Sequence, residues 1–153
     1  MNPSLVGSEM CIRDRFYHGD NTLINFFAST LFGIMIAFMA LVSPVVFSTL
    51  TKESSQAFLR KFFPRLFVLG AFISSILVAM TLQEIDIKNQ VFSIIIFFGF
   101  LLNLFVITPN VNKYRDLELQ GDNKAKKLFS LLHLSSVCIF IAQLILILLL
   151  IFL

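Results

Sequence analysis

The chain has 153 residues and a net charge of +3, and 58% of its residues are apolar, including nineteen Phe and no Trp. Its mean hydropathy is +0.89, and its charges gather in short clusters between long apolar runs. This pattern excludes a soluble domain with a polar shell, and no basic stripe typical of nucleic-acid binding is present. We therefore expect an all-α membrane protein, a four-transmembrane-helix bundle in one domain.

Residues 1–15 read MNPSLVGSEMCIRDR and show no periodicity that continues into the following segment. From Leu5 onward this stretch resembles one reading frame of a transposase-type sequencing adapter. We set it aside as an adapter-derived artefact; the alternative is a genuine disordered tail. Residues 16–22 then form a short N-terminal tail.

Four apolar runs follow, each long enough to cross about 30 Å of hydrocarbon as a helix of about 20 residues. Spans of this length in lipid must be helices, since their backbone groups have no other partners. The expected spans are about 23–48, 62–82, 91–111 and 128–153. In the third connection the sequence predicts a short amphipathic helix, a turn near Gly121 and then the basic start of the last span.

Basic residues between the spans predict the orientation. Nine lie in or beside the first and third connections, whereas the opposite side carries only Lys88 and the two arginines of the suspect segment, Arg13 and Arg15. By the positive-inside rule both termini lie outside and the basic loops face the cytoplasm. The expected location is a bacterial inner membrane.

Small residues recur at steps of three or four in the first span, on one helical face. They are Ser29, Gly33, Ala37, Ala40 and Pro44. We interpret this face as a helix-packing surface, since small residues allow close approach in lipid; it could instead line a pore. Pro44 predicts a kink or a helix end, or alternatively a hinge beside a ligand.

Pro64 and Arg65 open the second apolar run. Pro64 suits a first helical turn. Arg65, close to the bilayer edge, either snorkels to lipid phosphates or points into the bundle toward an anion.

Polar side chains within the last two spans predict contacts between helices. Asn103 lies in the third span, which ends in a kink at Pro109, and the fourth span carries Ser136 and Gln143 on one face. Interhelical hydrogen bonding is the main interpretation, with substrate contact as the alternative.

His133 is the one histidine within the spans, and an ionisable residue there is a candidate site residue. We predict a polar cluster at the cytoplasmic mouth of the bundle. Its members are Arg65, Asn112, Arg115, Asp116 and His133. The cluster is either structural or functional.

These residues also carry a resemblance. The run LFGIMIAFMALVSPVVFSTLTKESSQAFLRKFFPRLF, the element TPNVNKYRD and the element FSLLHLSSVCIFIAQ together resemble a bacterial membrane family of unknown function related to eukaryotic transmembrane protein 205. The resemblance extends over roughly residues 22–150. It departs from the family where an Asn before Gln143 is replaced, with Ile139 or Phe140 near its place. It implies a four-helix membrane domain of unestablished activity.

Three functions stay open. The first is a non-catalytic scaffold or transport-related component, with membrane lipid and either a second copy or another membrane protein as its partners. The second is a metal-tolerance protein resembling four-helix copper-resistance domains, although Met35, Met39 and Met80 lie at different depths. The third is a haem- or quinone-linked oxidoreductase, which needs a pair of axial histidines. No nucleophile–base pair and no metal-ligand set is visible, so we expect no enzyme activity, no metal and no cofactor.

Overall fold

The computed structural model describes residues 22–152, and the proposed adapter segment and N-terminal tail lie outside them. The described chain forms four helices that are all long and apolar enough to span a membrane. We name them α1 (Thr22–Thr49), α2 (Lys52–Thr81), α3 (Ile87–Leu119) and α4 (Asn123–Phe152). They confirm the expected all-α, four-helix membrane fold.

Side chains that accept hydrogen bonds from the first turn define where three of the helices begin. The Thr51 hydroxyl accepts from the Ser54 amide at 3.3 Å, and Asp86 accepts from the Lys88 amide at 3.0 Å. Asp122 accepts from the Lys124 amide at 2.8 Å. Each cap supplies a partner to an amide that would otherwise be unpaired at the start of its helix.

Two helices extend well beyond their apolar runs. Helix α2 begins ten residues before the run that starts at residue 62, so Pro64 lies inside the helix instead of in its first turn. Helix α3 continues through the segment that we expected to form a separate amphipathic helix and ends at Leu119. The predicted turn is present, since Gly121 has a φ of +95°, a value that favours glycine.

Helices α1 and α3 each contain one π-helical turn just before a proline. These turns comprise Phe38–Val42, ahead of Pro44, and Asn103–Ile107, ahead of Pro109. A proline in a regular α-helix clashes with the carbonyl four residues earlier and lacks an amide donor. Here the extra residue of the π-turn shifts the hydrogen-bond register, so both helices continue past their prolines instead of ending.

The core lies between the helices and is built from apolar side chains of all four. Helix α1 contributes Ile24, Ala28, Leu31 and Met35 to this core. The small-residue face predicted to pack against neighbours is turned away from this core: Ser29, Gly33, Ala40 and Pro44 are exposed and Ala37 is half-buried. Residue size alone does not decide which face is buried, because the core includes Ala28 and lipid tails are as apolar as the larger side chains.

Candidate functional site

A cavity of about 440 Å³ lies between all four helices, at the end of the bundle that carries the two basic connections. Its apolar lining is rich in aromatic rings. These are Phe38, Phe47, Phe63, Phe67, Phe129 and Phe140. The polar lining residues are Gln56, Arg60, Thr108, Asn112, Arg115, His133 and Ser136. The cavity therefore combines an aromatic interior with basic and amide groups.

The cavity reaches the outer surface of the bundle between α1 and α4. Four of its lining residues are strongly exposed: Met39 by 43%, Phe47 by 64% and Ile141 by 43%, and Val137 by 40%. Within the described chain, no Cα of Phe38–Thr49 lies within 8 Å of a Cα of α4. The exposed lining residues mark a lateral gap between α1 and α4, beside the point where the rings of Phe38 and Phe140 meet with 6.4 Å between their centroids. A bilayer would cover this opening with lipid tails.

Both π-turns contribute to the walls of the cavity. Phe38 and Met39 come from the turn in α1, and Ile107 comes from the turn in α3. The hydroxyl of Thr108 donates a 2.7 Å hydrogen bond to the backbone carbonyl of Asn103. This bond gives a carbonyl of the α3 turn a side-chain partner. Single π-turns within α-helices occur frequently at functional sites, and here two of them meet at one cavity.

Two arginines line the cavity, and each is held by a carboxylate that does not line it. Arg60 of α2 forms an ion pair with Asp116 of α3. Arg115 forms one with Glu118, one helical turn further on, at 2.6 Å. Each ion pair uses one nitrogen of a guanidinium group, which carries five N–H donors. The carboxylates therefore fix the two cations in place and leave donors for a ligand.

The ring of Phe129 connects the second arginine to the histidine. The guanidinium of Arg115 lies over it at 5.2 Å from the centroid. The imidazole of His133 is stacked on it with 6.0 Å between centroids and 11° between planes. Phe129 thus contacts two polar groups of the lining through their flat faces, the guanidinium by a cation–π contact and the imidazole by stacking.

The expected polar cluster is only partly assembled at this cavity. Asn112, Arg115 and His133 line it, and Asp116 is connected to it through Arg60. Arg65 is exposed and does not line the cavity. The reason is helical geometry: five residues separate Arg60 from Arg65, which turns their side chains about 140° apart. The basic residue that α2 contributes is therefore Arg60, which we missed because we began the helix too late.

The polar residues deeper in the bundle form bonds between helices. Ser136 donates to Asn103 Oδ1 at 2.8 Å, and Gln143 donates to the carbonyl of Ile96 at 2.9 Å. A third bond, at 2.6 Å, joins the hydroxyls of Thr81 and Ser93 and was not predicted. Within residues 22–152, the Oε1 of Gln143 is a buried side-chain oxygen without a hydrogen-bond partner.

Residues 22–152 contain no group of three or more His, Cys, Asp or Glu side chains that could hold a metal ion. Within the same residues, no nucleophilic side chain at the cavity is hydrogen-bonded to a side chain that could act as its base. What the lining offers chemically is hydrogen-bond donation from guanidinium, amide and imidazole groups beside an apolar wall. Donors of this kind beside an apolar wall are typical of small-molecule pockets.

The fold and the cavity define a class: small polytopic proteins whose four helices can all span a membrane. Residues 26–120, more than half of the chain, match the family described as Domain of unknown function (DUF4149), and the chain belongs to that family. The match includes α2 and α3 with both arginines, and it ends before α4. Among curated proteins and solved structures, none matches the chain significantly. The relation to eukaryotic transmembrane protein 205 stays a prediction.

Proposed function

We propose that the protein is a non-catalytic, transport-related membrane component that binds a molecule of the bilayer in its four-helix cavity. The observation that carries this proposal is the laterally open cavity itself, lined by all four helices and polar at one end. A volume of about 440 Å³ is within the roughly 300–1,000 Å³ of small-molecule pockets. A molecule dissolved in the membrane could reach the cavity through the gap between α1 and α4.

The proposed setting is a bacterial inner membrane with both termini outside. It is supported by the basic residues, which concentrate beside the α1–α2 and α3–α4 connections. In this orientation the arginines of the cavity lie toward the cytoplasm and the aromatic interior lies within the hydrocarbon. The exposed small-residue face of α1 suits a second copy or another membrane protein as partner, because small side chains permit close helix packing in lipid.

Native mass spectrometry of protein extracted gently from membranes tests the binding function. We expect the wild-type chain to retain a non-protein molecule. Val137→Trp places a larger ring at the opening and should reduce the retained fraction. Ile145→Trp is the matched control, because Ile145 is also on α4 and 52% exposed but does not line the cavity. Equal retention by both variants, or no retained molecule in any sample, would refute the proposal.

A further inference from the structure

We propose that the cavity selects a single-chain anionic amphiphile, with its acidic head group on Arg60 and Arg115 and its chain along the aromatic wall. This inference rests on the proposed function and names the class of ligand. It makes the head group, and not the apolar chain alone, the source of selectivity.

The arginines are available to an anion even though both are ion-paired. The pair of Arg60 and Asp116 retains 35% and 53% of its side-chain exposure, and the more buried pair of Arg115 and Glu118 retains 15% and 20%. Their carboxylates lie outside the lining, whereas both guanidinium groups belong to it. An incoming carboxylate or phosphate can therefore bind the free N–H groups while Asp116 and Glu118 keep the arginines in position.

The lining separates into a head-group end and a chain end. Arg60, Asn112, Arg115 and His133 supply donors near the connections, and among residues 22–152 no Asp or Glu lines the cavity. Phe38 and Phe140 meet at the apolar end, with their ring centroids 6.4 Å apart. An elongated molecule with one acidic end matches this polarity better than a uniformly apolar one or a small free anion.

The size and the entry route favour one chain over two. About 440 Å³ is in the lower part of the usual range for ligand pockets, which suits one acyl chain with its head group. The gap at Phe47 and Val137 opens to the side of the bundle, where the chain of a membrane amphiphile already lies. In the proposed orientation the guanidinium groups lie toward the cytoplasmic connections, the end at which a head group would lie.

The absence of Trp from the sequence provides a direct assay. Phe47→Trp places a fluorophore in the cavity lining, and Phe26→Trp places one on the same helix outside the lining. The second variant is the matched control, because the two phenylalanines are about equally exposed, at 64% and 62%. Each protein is reconstituted in phosphatidylcholine nanodiscs. Brominated stearate, which quenches Trp on contact, is compared with brominated stearyl alcohol at a pH where stearate is ionised.

We expect saturable quenching by stearate at position 47 and only non-saturable quenching at position 26. The alcohol should bind roughly tenfold more weakly, as should stearate to Arg60→Gln or Arg115→Gln in the Phe47→Trp background; tenfold corresponds to about 1.4 kcal/mol. Arg65→Gln is the matched control and should leave stearate binding unchanged, because Arg65 is exposed and outside the lining. Arg115→Lys and a thermal unfolding curve for each variant separate lost binding from lost folding.

The outcomes distinguish this inference from the function beneath it. Equal saturable binding of alcohol and stearate, unaffected by the arginine variants, overturns the anionic head group but keeps a binding cavity. Displacement of stearate by millimolar acetate or inorganic phosphate, with no role for the chain, shows a free-anion site and also overturns the amphiphile. If no probe gives saturable quenching at position 47, this inference is contradicted. The proposed function is still tested separately by the molecule retained in mass spectrometry.

Discussion

Ser136 of α4 donates a 2.8 Å hydrogen bond to the side-chain oxygen of Asn103, which is fully buried in the π-turn of α3. The same Asn103 donates to the carbonyl of Gly99 at 3.2 Å, and Ser136 lines the cavity. The bond therefore joins the irregular turn of α3 to the wall of the cavity. It fixes the relative position of the two helices that carry Arg115 and His133.

Ser136→Ala should destabilise the protein by about 0.6 kcal/mol, and by no more than about 1.7, because this is the range for interhelical hydrogen bonds in membrane proteins. Ser135→Ala is the neighbouring control: its hydroxyl bonds only to the carbonyl of Leu131 in its own helix. Unfolding in a graded mixture of mild detergent and sodium dodecyl sulfate measures both. Equal stability of the two variants would show that the Asn103 bond contributes nothing between helices.

Gly70→Ala should be markedly destabilising. A Cβ atom on Gly70 would press on the ring of the buried Phe100, 2.6 Å from its Cδ1, and overpacking of this kind costs about 1–3 kcal/mol. Gly33→Ala is the contrasting change, since nothing lies within 4 Å of the added atom. It should be neutral or slightly stabilising through helix propensity. The same unfolding assay compares them, and a tolerated alanine at 70 would contradict the close packing of α2 on α3.

His133→Leu should change the stability by no more than about 0.5 kcal/mol, because the imidazole is exposed and its recorded contact is the stack on Phe129. A structural role in the polar cluster would instead cost about 1–2 kcal/mol in broken interhelical hydrogen bonds. Ligand retention measured on the same sample tells whether the ring binds the molecule in the cavity. A loss of stability above about 1 kcal/mol, on the order of one interhelical hydrogen bond, would contradict this expectation. It would indicate that His133 has a structural role between helices.

Fusing a reporter after residue 153 tests the orientation. Alkaline phosphatase, which folds only outside the cytoplasm, should be active there and inactive when inserted at Gly121. A fluorescent protein that folds only in the cytoplasm should give the reverse pattern. The reason is the excess of lysine and arginine beside the connection that contains Gly121. Phosphatase activity at Gly121 would invert the topology.

The number and type of helices could be predicted from the sequence because long apolar runs in lipid have one backbone solution. The helix beginnings could not be read from hydropathy. Thr51, placed before Lys52 and Glu53, was the available signal, since a threonine before a polar segment is a helix cap. With Thr51 as the cap, the predicted α2 begins at Lys52, and Arg60 takes the place of Arg65 in the predicted polar cluster.

Which face of α1 is buried was not determined by residue size alone. The small residues at steps of three or four suggested a contact face, yet Leu31 and Met35 occupy the core and Gly33 faces outward. Both faces of a lipid-embedded helix are apolar, so hydropathy cannot distinguish them. The π-turns were likewise missed, because the prolines showed where the helix is perturbed and not how it adjusts.

Photo-crosslinking in intact cells tests most directly that a membrane molecule occupies this cavity. A benzophenone-bearing residue replaces Phe140, which is 9% exposed and lines the cavity, or Phe72, which is 63% exposed on α2 and lies outside it. After irradiation, mass spectrometry reads the adducts on each purified protein. We predict one discrete small-molecule adduct at position 140 and a spread of bulk lipids at position 72. The same lipid spread at both positions, or only protein-to-protein links at position 140, would contradict a selective ligand cavity.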